Sequence, residues 1–231
     1  GNLRTIDDIH NILVELNRPL VFKPVGDTSG GKGVAVVDGY DLLNNKVVKG
    51  TEQISLEEFY KNVCLKSPNG VLIQEKIIQH DTVNRIHPSS VNCARIVTFR
   101  NGDNIEIIGA VMKFGNNGKD VDNSVLAGGV FAKIDLQSGV VGNAFSYFNS
   151  ESQVYHPYTE ERIAGIQVPF WDEMKEVAIK AHSCFIHCRT FGWDIAFGTH
   201  GPIVIEMNGN WQHNHLHKMG GSLRETSYAR R

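Results

Sequence analysis

Three residues in the C-terminal part of the chain have types and spacing suited to holding a hard cation: Asp194, Glu206 and Asn208. Residues two apart on an extended strand share a face, so Glu206 and Asn208 point the same way. Between them and Asp194 lies the turn sequence Gly198-Thr199-His200-Gly201-Pro202, and folding there brings Asp194 to within about a residue of lying opposite Glu206. Like charges across a strand pair repel, and a cation is the simplest compensation. Two carboxylates and an amide oxygen suit Mg2+ that keeps waters and shares phosphate oxygens. The apolar neighbours Ile203, Val204, Ile205 and Met207 argue against an incidental acidic hairpin.

A second group stands near the N-terminus. Lys23 follows Leu20-Val21-Phe22 directly, where a charge needs a partner, and Lys32 sits within the glycine-rich residues 26–33. The spacing Gly26, Gly31, Lys32 approaches that of a P-loop. It fails at Gly33, which lacks the Mg2+-binding hydroxyl, and at residues 34–38, which are β-branched rather than a helix start. A glycine loop between two strands can still fold as a flap over a triphosphate, its N–H groups facing phosphate oxygens, with the two lysines opposing the charge of ATP. An ordinary β-turn with two solvated lysines accounts for the same residues. Two further clusters stay open. His213, His215 and His217 alternate and could bind Zn2+ or form a substrate loop or polar tail; Cys184 and Cys188 flank His187 as a metal corner or as buried thiols on a helix face.

The elements around these residues read as follows. A helix capped by Thr5, with Asp7 and Asp8 in its first turn, covers the first 17 residues. Short strands follow at 19–24, 34–38 and 46–48, a helix opens at the capping box Ser55-Leu56-Glu57-Glu58 and runs to about Cys64, and 71–75 is a buried strand. Strands at 94–99, 105–114, 130–135 and 140–147 lead to one long helix from Pro169 to about Cys188, then to the hairpin 193–197 and 203–207. Strands in runs with interleaved helices indicate an α+β class.

Composition sets outer bounds. With 231 residues, 41% hydrophobic and 21% charged, the chain is no disordered or collagen-like polymer. A net charge of −2 argues against a broad nucleic-acid surface, and no apolar run approaches the roughly 20 residues that span a bilayer. Four cysteines without a CxxC pair point to free thiols in a reducing, cytoplasmic compartment.

In order, Val21-Phe22-Lys23-Pro24, Ser29-Gly30-Gly31-Lys32-Gly33-Val34, Leu72-Ile73-Gln74-Glu75-Lys76, then Arg95, Lys113, Asn123, Gly128-Gly129, and Asp194 with Glu206-Met207-Asn208, resemble the ATP-grasp superfamily. The stretch His87-Pro88-Ser89-Ser90-Val91-Asn92-Cys93-Ala94-Arg95 resembles its sugar-transfer-associated branch, related to glutamate ligases and found with polysaccharide biosynthesis. The resemblance implies an ATP-grasp fold, with two α+β lobes, about 1–75 and about 76–231, holding ATP between them. Lys23, Ser29, Gly30, Gly31 and Lys32 would meet the phosphates, Glu75, Lys76 and Ile77 the adenine, and His80 the ribose region. Asp194, Glu206 and Asn208 would hold one or two Mg2+ ions, and Arg95 and Lys113 would be catalytic, stabilising the transferring phosphoryl group.

Asn92, Asn123, Gly128, Gly129, Asn210 and Trp211 are the expected substrate contacts. The implied activity is an ATP-dependent carboxylate–amine ligase working through an acyl phosphate, joining an amino acid to a sugar acid or another cell-envelope carboxylate. A kinase acting on a hydroxyl needs the same residues, and a nucleotide-binding module without catalysis is the non-enzymatic alternative. Two features depart from the pattern. Phe191-Gly192-Trp193 stands where some relatives carry an arginine, and the chain opens almost at Lys23, so the domain that usually precedes the lobes is expected to be absent or truncated.

Overall fold

A computed structural model describes residues 5–26, 31–116, 128–146, 151–211, 223 and 226–229, and the chain divides into two units, Gly1–Lys76 and Ile77–Arg231. In the first unit Thr5 caps helix α1 (Ile6–Leu16): its hydroxyl accepts the Asp8 N–H at 3.1 Å, and the Asp8 carboxylate takes the Thr5 N–H at 2.9 Å. The helix ends where Asn17 turns left-handed, φ 39°. Strand β1 (Leu20–Pro24) lies between β2 (Ala35–Val37) and β6 (Val71–Glu75) in an antiparallel sheet. A second antiparallel sheet is built from β3 (Gly39–Asp41), β4 (Lys46–Lys49) and β5 (Glu52–Ser55).

Ser55 caps α2 (Leu56–Phe59) by accepting the Glu58 N–H, and the helix continues as a π-helical turn over Tyr60–Cys64. Leu20, Phe22, Val37, Val47, Leu56 and Phe59 form the core of this unit with Ile9 and Leu13 from α1. Side chains alternate along a strand, so burying Leu20 and Phe22 turns Val21 and Lys23 to the opposite face of β1.

The second unit is built on a six-stranded antiparallel sheet: β7 (Cys93–Asn101), β8 (Asn104–Phe114), β9 (Val130–Ile134), β10 (Val141–Ser146), β11 (Thr190–Gly198) and β12 (Gly201–Asn208), ordered β10-β9-β8-β7-β11-β12. Its one-turn helix α3 (Asp81–Asn84) precedes β7, and α4 (Trp171–Ser183) covers one sheet face. There Met174 and Ala178 join Ile96, Met112, Trp193, Ile195 and Phe197 in the core. The other face carries a smaller cluster of Val97, Phe99, Ile108, Val111, Trp211 and Leu223.

A buried chain of hydrogen bonds ties α4 to this sheet. The Trp193 indole N–H donates to Thr98 Oγ1 at 2.9 Å, and Thr98 Oγ1 lies 2.7 Å from His182 Nδ1. The other nitrogen, His182 Nε2, faces the Cys188 carbonyl at 3.1 Å; a carbonyl can only accept, so the proton is on Nε2 and Thr98 donates to Nδ1. This bond explains why α4 stops at Ser183 instead of near Cys188: His182 draws the chain back, and Phe185 turns onto Phe191, ring centroids 5.3 Å apart. Cys184 and Cys188 are therefore exposed rather than buried on a helix face, and all four cysteines are free. Among the described residues no three His, Cys, Asp or Glu side chains converge as a metal cage, and no helix is long and apolar enough to cross a membrane.

Candidate active site

The strand register assembles a charged row. Arg95 on β7 is directly opposite Asp194 on β11, which is directly opposite Glu206 on β12. The hairpin reaches this pairing in an unexpected way. Its turn is the tight Thr199-His200, which alone would set Asp194 against Ile205; a β-bulge adds one residue on β12 and brings Glu206 into place. Lys113 pairs with Cys93, two residues from Arg95, and so lies on the same face of the sheet.

Asp194, expected as a metal ligand, is instead the common partner of two cations. Arg95 grips it with two N–H groups, Nε to Oδ1 and Nη2 to Oδ2 (2.8 Å), while Lys113 Nζ donates to Oδ2 at 2.9 Å. The third guanidinium nitrogen, Nη1, donates to the Trp211 carbonyl at 3.0 Å. Asp194 is 3% exposed and Arg95 8%. Burial alone would raise the Asp194 pKa, but the hydrogen bonds and charges of Arg95 and Lys113 outweigh it and hold the carboxyl well below the usual carboxylate range. Cys93, buried beside the same cluster, has its thiol pushed up to about 12 by desolvation, which favours the neutral thiol. Gly192 makes the approach possible: a Cβ there would collide with the Cβ of Trp211 and lie 2.9 Å from Cδ of Arg95.

Glu206 is exposed and Asn208 half-buried, on one face of β12, with Asn208 Nδ2 3.1 Å from Glu206 Oε1 and 3.4 Å from the Gly192 carbonyl. An exposed carboxylate and a neighbouring amide on one strand face are of the hard-donor types that suit a divalent ion. Asp194 does not fit as an open ligand, because both of its oxygens are occupied by cationic donors.

In the first unit, register places Val36 and Gln74 beside Val21, and Leu72 beside Lys23, on the face turned away from the core. This is a partly apolar shelf ending in a lysine. Gly31 and Gly33 take φ of 75° and 76° in a turn closed by the Val34 N–H on the Gly31 carbonyl, with Lys32 exposed between them. Ser29 and Gly30 lie outside the described residues. The hinge side chains are engaged locally: Glu75 pairs with Arg18 at 2.6 Å, Lys76 pairs with Asp38 at 2.6 Å, and the Lys76 N–H donates to the Pro19 carbonyl. Ile77 is half-buried and begins the second unit. His80 caps α3, its Nδ1 accepting the Thr82 N–H, and its ring packs edge-on against Phe170.

Two expected substrate contacts are structural in their placement. Asn92 is fully buried, and its amide NH2 reaches Gln79 Oε1 and the carbonyls of Val83 and His87, pinning the segment before β7. Trp211 is 7% exposed within the second core, its ring 6.5 Å from that of Tyr228. Asn210 is exposed; Gly128 is half-buried with φ 86°, its carbonyl accepting from Asn116 Nδ2, and Gly129 is buried. Asn123 and the run 213–217 lie outside the described residues.

One cluster escaped the sequence reading. Buried His87 contacts Ser90 Oγ through Nδ1 at 3.0 Å and stacks near His156, whose Nε2 donates to the Gly115 carbonyl at 2.8 Å. A Cβ on Gly115 would lie 2.5 Å from His87 Cε1, so the His-Pro-Ser-Ser-Val-Asn stretch is fitted to a glycine at the end of β8. Burial and neighbouring His156 push His87 down to about 4.

The two α+β units, with the antiparallel sheet that aligns Arg95, Asp194 and Glu206, form an ATP-grasp fold. The biotin carboxylase domain of the Hydrogenobacter thermophilus 2-oxoglutarate carboxylase, solved with MgADP, ADP and bicarbonate, superposes with a TM-score of 0.53 at 13% identity, covering 93% of this chain and 36% of that one. N5-carboxyaminoimidazole synthetase from Staphylococcus aureus, solved with ADP, gives 0.49 at 15% identity, covering 93% and 40%. Within that class the chain belongs to the sugar-transfer associated ATP-grasp family, which it matches over residues 2–226. No curated protein matches it by sequence. The chain thus spans well under half the length of these solved relatives.

Proposed function

We propose that the chain carries the nucleotide-binding and phosphoryl-transfer residues of an ATP-dependent carboxylate–amine ligase. The observation that carries this reading is the charged row on one sheet face: Arg95, Lys113 and Asp194 packed together beside accessible Glu206 and Asn208. Membership of the ATP-grasp family supports it, as does the MgADP held by a relative of the same fold. Lys23, Lys32 and the glycines around it, with Ser29 and Gly30, bind the phosphates, and Val21, Val36 and Leu72 offer an apolar face to the base. With the Glu75 and Lys76 side chains in ion pairs, the hinge contact to adenine falls to Ile77.

Glu206 and Asn208 would hold Mg2+, which supplies charge neutralisation to the phosphate oxygens. A substrate carboxylate oxygen attacks the γ-phosphorus, the bond from that phosphorus to the β–γ bridging oxygen breaks, and ADP leaves. An amine nitrogen then attacks the acyl carbon, the C–O bond to phosphate breaks, and the amine gives up a proton. The Lys113 ammonium stabilises charge on the transferring group, and no protein nucleophile is needed. An amino acid as amine and a sugar acid or other cell-envelope carboxylate as acid, used in cytoplasmic polysaccharide biosynthesis, complete the proposal; the family's association with sugar transfer supports that part.

The test is a screen for ADP release over mixed acids and amines, with mass spectrometry of the products. ADP release that needs both, with a product equal to acid plus amine minus water, is expected. ADP release with an alcohol alone, giving a phosphorylated alcohol, would replace the ligase with a kinase.

A further inference from the structure

We propose that Asp194 is a positioning residue that fixes the Lys113 ammonium, and that the divalent cation is held without it; this rests on the nucleotide-binding reading above. A carboxylate has about four lone-pair sites. Three of those on Asp194 accept N–H groups from Arg95 and Lys113, and the side chain has little access to solvent. The one remaining site, on Oδ1, belongs to a side chain only 5% exposed, and a Mg2+ ion reaching it would face the repulsion of two cations already bonded to the same carboxylate. Accessible Glu206, directly opposite, with Asn208 two residues on, offers oxygens at no such cost.

The division of labour between the two cations follows from their bonds. Each of the three guanidinium nitrogens of Arg95 makes a bond, two to Asp194 and one to the Trp211 carbonyl, and Gly192 leaves room for its stem. Arg95 and Asp194 therefore form a neutral, immobile pair. Lys113 adds one positive charge to it and, among the described residues, makes one bond, of 2.9 Å at Oδ2, while an ammonium carries three N–H donors. The triad thus presents one oriented cation on the face that carries Glu206. A γ-phosphate oxygen is the ligand of matching charge, and Asp194 sets where Lys113 meets it.

The experiment is calorimetric titration of a non-hydrolysable ATP analogue at a series of Mg2+ concentrations, using the wild type, Asp194→Asn, Lys113→Met, the double variant and Glu206→Gln. Glu206→Gln is expected to raise the Mg2+ needed for half-maximal binding by roughly tenfold or more. Asp194→Asn and Lys113→Met should leave that requirement within about twofold of wild type, yet each should weaken the analogue at saturating Mg2+ by about tenfold, as expected for one charge-assisted hydrogen bond. The double variant should be no weaker than either single one.

An Asp194→Asn variant that needs as much extra Mg2+ as Glu206→Gln would make Asp194 a ligand and overturn the proposal. A variant of normal affinity that only melts earlier would reduce Asp194 to a structural role and overturn it equally. Should Asp194→Asn fail to fold with Arg95 unpaired, Lys113→Met alone decides, because it vacates Oδ2. A lowered Mg2+ requirement would then mean that Asp194 ligates once released; an unchanged one upholds the proposal. Wild-type protein that binds no analogue at any Mg2+ concentration is a separate result, which removes the nucleotide reading itself and this inference with it.

Discussion

Gly192 has no side chain, and Trp211 and Arg95 occupy the space that one would fill. Gly192→Ala must shift both Cβ of Trp211 and the Arg95 stem, so it should cost about 1–3 kcal/mol in chemical denaturation, as overpacking does. Unchanged stability would mean that the Trp211 contact yields freely. Glu206→Ala is expected to behave oppositely. Because the side chain is exposed, folding stability should change by no more than about 0.5 kcal/mol, while cation-dependent nucleotide binding is lost. Retained binding with a normal Mg2+ response would remove Glu206 from the cation site. Residue types and spacing indicated that Glu206 and Asn208 share a strand face and that Lys23 lies on a strand, and the structure has them so. Partner choice was not: Arg95 and Asp194 are 99 residues apart and meet only because β7 and β11 become neighbours. The available signal was a charge inside the apolar run Cys93-Ala94-Arg95-Ile96-Val97, which must find a buried counter-ion.

At the scale of elements, Thr98 joins three of them. Thr98→Val keeps the volume but strands the Trp193 indole N–H and His182 Nδ1, both buried, and should destabilise the chain by about 1–3 kcal/mol per group left unpaired. Thr98→Ser should recover most of that loss in the same denaturation series, and equal losses in the two variants would assign the effect to packing. Strand bounds and helix caps were readable because alternation and caps act locally: β6 and the caps of α1 and α2 lie where their residues indicate. Strand β6, expected to be buried, is half-buried to exposed along its length, because only one of its faces packs on the core. Strands β3 and β5, of three and four mostly polar residues, carry too little periodicity to register. The end of α4 and the bulge in β12 are set by His182 and by the neighbouring strand, which no local pattern records.

For the whole molecule, acid stability follows from the buried histidines. Desolvation and His156 depress His87 to about 4 from an ordinary 6.5, so between those values the unfolded chain binds the extra proton. Stability is then complete above about pH 6.5 and falls toward pH 4, by up to about 1.4 kcal/mol per pH unit for each proton. His156, lowered by the same burial, adds to the slope. Asp194, depressed below 3.8, contributes a loss only below that value. Melting temperatures from pH 7.5 to 4.5 should therefore fall progressively, and a flat profile would show the histidine pair accessible to protons.

The activity has a more direct test. With the acid found by the screen labelled with 18O in its carboxylate, attack on the γ-phosphorus and later release of phosphate must carry one carboxylate oxygen into the phosphate. One 18O in phosphate for each ADP formed is the expected result. Unlabelled phosphate accompanying amide formation would contradict the acyl-phosphate route.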